Sequence, residues 1–142
     1  MTMTFMFPGK VLVLGSFIAA AGSVATGQSG PARTVKDQVY SDPQATRGKS
    51  IYNAQCSNCH DGGAMGPALS GGDFLASWDN KSVRTLFDRV LNTMPSDAPG
   101  TLQEQEALDL MAYLIKANGF PSGPDALKGP DELNAIAIVR SK

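Results

Sequence analysis

The chain has 142 residues, enough for one domain of ordinary size with a leader and too few for two separate cores. Twelve basic against thirteen acidic residues leave a formal charge of −1, which excludes the basic footprint of a nucleic-acid-binding protein. Fifteen glycines, nine prolines and only 7% aromatic residues predict long turns, short helices and a thin side-chain core, to which a large buried apolar group would add contact surface.

Up to position 25 Lys10 is the only charge, and residues 11–25 form an apolar run relieved by Gly15, Ser16, Gly22 and Ser23. This pattern predicts an export signal over 1–25, cut after Ala25 at the small-x-small site Ser23-Val24-Ala25. An uncleaved anchor helix is the alternative, but a membrane span needs roughly 20 predominantly apolar residues, more than this Gly-broken run offers. Residues 26–41 are polar, with Val35, Val39 and Tyr40 as their only contacts, and read as a flexible leader. A first helix is expected from Asp42 as N-cap, with Pro43 at the first helical position, running toward Cys56 with Ile51 and Tyr52 on the same face. The glycines and prolines of 61–72 predict a loop. A second helix, capped near Asp79 or Asn80, places Val83, Leu86, Phe87, Val90 and Leu91 in one buried stripe, and Asn92 and Pro95 stop it. A third begins at a capping box of Thr101 with Glu104, buries Leu108, Met111, Ala112, Leu114 and Ile115, and ends at Gly119. The tail, 124–142, is expected to pack on the domain, with 134–139 either a short strand or a wrapped segment. These elements predict an all-α domain over 42–123 with three main helices and long loops.

Chemistry concentrates in Cys56-Ser57-Asn58-Cys59-His60. Two thiols at this spacing add across the two vinyl groups of one porphyrin, and the adjacent imidazole lies under the iron, so the motif predicts one covalent haem c on Cys56 and Cys59. Zinc lacks ligands in a chain with two Cys and one His. A dithiol oxidoreductase motif should open a helix after a strand, whereas this one closes a helix and meets a Gly-rich loop. A plain disulfide in an exported protein is the remaining alternative. With a single histidine, His60 is the proximal ligand and the distal one is Met, Lys, solvent or nothing. Met65 lies too close in sequence to reach the opposite face, and Met111 sits on the apolar stripe of the third helix. Met94, placed before Pro95 on an extended segment, is the expected sixth ligand; the alternative is a core filler at a helix end.

With these residues in place the chain resembles the class I cytochromes c over about 44–123, which implies the small cytochrome c fold around the haem. Gly48 and Tyr52 resemble the positions that family uses where its first and last helices cross, with Leu110 and Tyr113 as their partners. Pro67 is similar to the family proline whose carbonyl accepts the proximal imidazole N–H. Thr93-Met94-Pro95 matches the axial-ligand segment. Phe74…Trp78, Leu86-Phe87, Pro99-Gly100-Thr101-Leu102 and Asn118-Gly119-Phe120-Pro121 resemble cytochromes that accompany or are fused to quinone-cofactor (PQQ) dehydrogenases, and related haem modules of terminal oxidases. Trp78 then either donates its indole N–H to a haem propionate or packs as a half-buried residue before a helix.

The resemblance implies a periplasmic electron carrier rather than an enzyme, a monomer or a subunit of a redox complex. Its implied donor is a dehydrogenase of that type, and its acceptor a terminal oxidase or another cytochrome. The alternative is a haem sensor in which Met94 leaves the iron to admit CO, NO or oxygen; peroxidase chemistry lacks a second histidine to serve as distal acid and base.

Overall fold

The structure, a computed structural model, describes residues 33–62 and 65–140; the expected export signal and the first part of the expected leader lie outside the described residues. The order is β1 (Arg33–Thr34), α1 (Asp42–Gln55), α2 (Ser57–His60), α3 (Gly72–Trp78), α4 (Val83–Thr93), α5 (Glu104–Ala117), α6 (Pro130–Asn134) and β2 (Ile136–Ala137). The three main helices of the prediction are α1, α4 and α5, and the other described elements are short.

α5 is the spine of the domain, burying Ala107, Leu108, Leu110, Met111, Ala112, Leu114 and Ile115. Cutting one of its large side chains back to alanine would cost about 2–5 kcal/mol. α1 crosses α5 at Gly48, where a Cβ would stand 1.9 Å from the Asp109 carbonyl oxygen and 2.9 Å from Tyr113 Cβ, so the two backbones meet with only a hydrogen between them. Arg47 locks the crossing. Its Nε and Nη2 donate to Asp109 at 2.7 and 2.9 Å, and Gln105 donates a third bond at 2.9 Å, which satisfies a carboxylate residue that is 4% exposed. The rings of Tyr52 and Tyr113 close the same crossing with centroids 5.0 Å apart.

Helix starts differ from the expected ones by one to three residues. Ser41 is the N-cap of α1, and Asp42 falls in the first turn, where it accepts hydrogen bonds from Lys116 and Ser122. α4 begins after Ser82, whose hydroxyl accepts the Thr85 N–H at 3.3 Å, because Asn80 turns the chain with φ 60° before the helix can start. The box of α5 closes between Gln103 and Glu106, the Gln103 N–H donating to the Glu106 carboxylate at 2.9 Å; Thr101 instead donates to the Ala98 carbonyl at 2.9 Å. Helix α3 starts at Gly72, the last residue of the expected loop, and occupies a stretch to which no element was assigned; it buries Phe74 and Leu75 behind a Gly-rich start.

Residues 33–41 are docked on the domain through the three contacts expected of them. Val35, Val39 and Tyr40 are no more than 2% exposed, and the Tyr40 hydroxyl donates to the Phe120 carbonyl at 2.8 Å. Their partner comes from the far end of the chain: β1 pairs in parallel with β2, Arg33 opposite Ile136 and Thr34 opposite Ala137. The tail is thus both strand and wrap, α6 followed by β2. Gln44, fully buried on α1, anchors it by accepting from the Leu127 N–H at 2.8 Å and donating to its carbonyl at 3.1 Å. Among the described residues no helix is long and apolar enough to cross a membrane.

Candidate functional site

The Cys56-Ser57-Asn58-Cys59-His60 segment folds as one tight turn at the end of α1. The N–H groups of Cys59 and His60 both donate to the Cys56 carbonyl, at 3.2 and 3.1 Å, and the turn delivers both thiols and the imidazole to the wall of one cavity. Asp61, next in the chain, ties the turn back to α1 by accepting the Tyr52 hydroxyl at 2.6 Å. Burial, and then the neighbouring Asp61, push the Tyr52 pKa up, so this hydroxyl stays a donor.

His60 Nδ1 lies 2.6 Å from the Pro67 carbonyl oxygen. A carbonyl only accepts, so Nδ1 carries the hydrogen and Nε2 keeps its lone pair for a metal. Gly66 makes this approach possible, since a Cβ there would stand 2.8 Å from His60 Cε1 and 3.0 Å from Nδ1. The loop is pinned in turn by Asn118 at the end of α5, which donates to the Leu69 carbonyl at 3.1 Å and accepts the Gly71 N–H at 3.0 Å. On the other side, α4 stops at Thr93 and Met94 leaves it extended, with φ −122° and ψ 152°, the conformation a following proline favours.

Two cavities flank these groups. The first, about 480 Å³, is lined by Pro67, Phe74, Trp78, Leu86 and Arg89 among others. The second, about 610 Å³, has Cys56, Cys59, Met65, Pro95 and Leu110 on its wall. His60, Leu69, Val90 and Met94 line both, so the two form a single cleft with the imidazole and the thioether at its waist. The other two candidate methionines are elsewhere: Met65 is 73% exposed at the rim and Met111 is 1% exposed in the core.

The donor set decides what fits. Among the described residues no three His, Cys, Asp or Glu side chains gather into a metal cage, as a closed zinc site would need. Burial, followed by the nearby Cys59, pushes the Cys56 thiol up, the reverse of what a nucleophilic thiolate requires. An apolar cleft with one free imidazole nitrogen, one thioether and two thiols on its wall fits a flat iron macrocycle attached through its own side groups.

The structure therefore brings together Cys56, Cys59, His60, Pro67, Met94 and Trp78 around one cleft. Trp78 is half-buried there, tilted against Phe74 at 6.3 Å between centroids, with Lys81 Nζ 5.0 Å above its ring. Three participants escape sequence reasoning. Gly66 looks like any turn glycine, Asn118 like an ordinary helix end, and Arg89 is marked only by sharing a helix with the stripe that leads to Met94.

Residues 43–114 match the protein family described as cytochrome C oxidase, cbb3-type, subunit III. The cytochrome bc1 complex cytochrome c subunit of Corynebacterium diphtheriae is 30% identical over 85 residues, covering 57% of this chain and 30% of that protein, so the chain spans under a third of that relative's length. Among solved structures, the sulfane dehydrogenase SoxCD from Paracoccus pantotrophus has the same fold, with a TM-score of 0.52 over 90% of this chain and 68% of that one at 19% identity. The expected small cytochrome c fold is the observed one. The chain belongs to the cytochrome c family, in the class described as cbb3-type oxidase subunit III, and is an electron-transfer domain whose cofactor is a covalently bound haem c.

Proposed function

We propose that this chain is an exported, periplasmic one-electron carrier in which Cys56 and Cys59 would hold the haem through thioethers and His60 and Met94 would supply the ligands to its iron. The observation that supports this reading best is the cleft waist formed by His60 and Met94, with both cysteines on the adjoining wall. The bound haem supplies an iron that takes up and returns a single electron. Pro67 and Gly66 orient His60, so its Nε2 is offered in one direction. The Met94 thioether favours the reduced metal and raises its potential relative to two imidazoles. Leu69, Phe74, Val90 and Leu110 exclude water from the centre. Arg89, among the described residues the only Lys or Arg lining the first cavity, and Trp78 on the same wall would donate to the carboxylates of the group.

In this reading the chain has no substrate and works by brief docking, alone or as a subunit of a redox complex. Its donor is a dehydrogenase of the PQQ type and its acceptor a terminal oxidase or another cytochrome. Support for the donor comes from the segments around Trp78, Thr93-Met94-Pro95 and Asn118-Gly119-Phe120-Pro121. The relatives named for a bc1 complex and a sulfane dehydrogenase support work within or beside a larger redox assembly.

The test is a reduced-minus-oxidised spectrum of the exported protein with its intact mass, repeated for Met94→Ala. A haem c spectrum with one added haem is expected, and Met94→Ala should abolish the Met-to-ferric-iron charge-transfer band and lower the potential. A colourless product with the mass of the polypeptide alone overturns the proposal. Rapid CO binding by the ferrous wild type at neutral pH would move the function to ligand sensing.

A further inference from the structure

The family match ends at residue 114, yet the chain continues through α6 and β2 and returns to the cleft from behind. β2 and the residue after it bind the turn joining α3 to α4. The Asn80 N–H donates to the Ile138 carbonyl at 2.9 Å, the Ile138 N–H donates to the Lys81 carbonyl at 2.8 Å, and Ser82 bridges to Ala137. That turn joins Trp78 to α4, and Trp78 lines the first cavity together with Leu86, Arg89 and Val90 of that helix. Arg140 adds an ion pair to Asp79 at 3.0 Å. α4 packs against α5 and also against α6 and β2, where Leu133 and Ile136 are fully buried. β1 backs β2 from the far side, through the Val35 N–H to the Ala137 carbonyl at 3.0 Å.

The haem-binding groups thus rest on two supports. Cys56, Cys59, His60 and Pro67 depend on the α1–α5 crossing and the Asn118-pinned loop, whereas Met94 ends a helix held on its other flank by the tail. We propose that the segment 130–140 is a brace that sets the hold of Met94 on the iron, with Ile136 as its central positioning residue. Loosening the brace frees α4 locally, opening the sixth coordination position while the attachment side stays folded. This rests on the ligand reading given above.

The experiment compares holoprotein variants Ile136→Ala, Ile136→Val, Met94→Ala and Arg47→Met by CO binding to the ferrous form, by the ferric charge-transfer band and by amide hydrogen exchange. Arg47→Met is the control: it destabilises the α1–α5 crossing by leaving Asp109 without its guanidinium, and does not touch the brace. Ile136→Ala should keep its haem, weaken the band, speed CO binding by about tenfold or more, and quicken exchange over 83–93 but not over 42–55. Ile136→Val should shift each readout the same way by less, and carries the comparison if the alanine variant fails to accumulate. The brace is refuted if Ile136 variants lower the melting temperature while CO binding and α4 exchange stay at the wild-type rate. It is equally refuted if Arg47→Met, at matched loss of stability, speeds CO binding as much. If Met94→Ala leaves the spectrum unchanged, the ligand reading is what has failed, and exchange at α4 still decides whether the tail holds that helix.

Discussion

Gly66 bears more directly on the iron site than its place in a turn-rich loop implies. Its missing side chain lets the Pro67 carbonyl reach His60 Nδ1, and a methyl there would meet the imidazole at 2.8 Å. Gly66→Ala should therefore displace the ring or break that bond, weakening the grip of His60 on iron by about tenfold, the lower end for loss of a supporting hydrogen bond to a metal ligand. The fraction of exported chain that carries haem, and the potential of what remains, are the measurements; an unchanged yield and potential would mean the loop yields at no cost. Asp42 makes a second residue-level case. Hydrogen bonds from Lys116 and Ser122 hold its carboxyl below the usual carboxylate range. A folded pKa lower than the unfolded one, about 3.9, gives stability that is present above that value and is lost as pH falls through the folded pKa. Asp42→Asn should accordingly melt below the wild type at pH 6, and the gap should narrow as pH falls below about 4. At this scale the sequence was informative where a residue type has one use: Gly48, Tyr52 and Tyr113 stand at the helix crossing that the resemblance implied, and the Pro67 carbonyl faces the imidazole, whereas Leu110 lies on the wall of the second cavity. It was silent on Asn118 and Gly66, whose roles depend on which loop folds over them.

Helices were legible through their buried stripes and less so through their ends. Val83, Leu86, Phe87 and Val90 are buried, as the spacing on α4 requires, and Leu91, the last of the expected stripe, is only partly buried against them at its edge. Caps depend on local competition. Thr101 had the right spacing to Glu104, but its hydroxyl found the Ala98 carbonyl, and the box moved to Gln103 and Glu106. α3 was hidden because seven residues opening on glycine carry too little periodicity to outweigh turn chemistry. The contact between α1 and α5 is the element-scale feature with the least tolerance. Gly48→Ala pushes a methyl into the Asp109 carbonyl, a backbone atom that cannot rotate away, and would also strain the Arg47–Asp109 clamp beside it. A loss of about 3 kcal/mol is expected, the upper end for overpacking, read as a lower denaturant midpoint with an unaltered slope. A midpoint within error of the wild type would show that the helices can separate without penalty.

For the whole molecule, the cleft divides what is otherwise a single core. Leu69, Val90 and Met94 face both cavities, and Phe74, Leu86 and Leu110 each face one, so a haem bound there would be the surface against which these side chains pack. Apolar walls around spaces of about 480 and 610 Å³ forfeit dispersion contacts unless something of matching shape fills them. The sequence announced this need in its scarcity of aromatic residues, but could not show that residues 33–34 and 136–137 meet as β1 and β2, since pairing between such distant segments has no local signal. The parts do not depend equally on the cofactor. α1 and α5 contact each other directly at Gly48, whereas α3 and α4 each turn a face to the cleft. A Cys56→Ala, Cys59→Ala chain, unable to attach haem, should keep part of its helical far-ultraviolet signal from α1 and α5 and lose the fixed near-ultraviolet signal of Trp78. It should also bind an apolar dye and unfold without a sharp transition. A cooperative melt with native near-ultraviolet signal would show that the polypeptide closes its own core, and the haem would then be cargo in a finished fold rather than part of its interior.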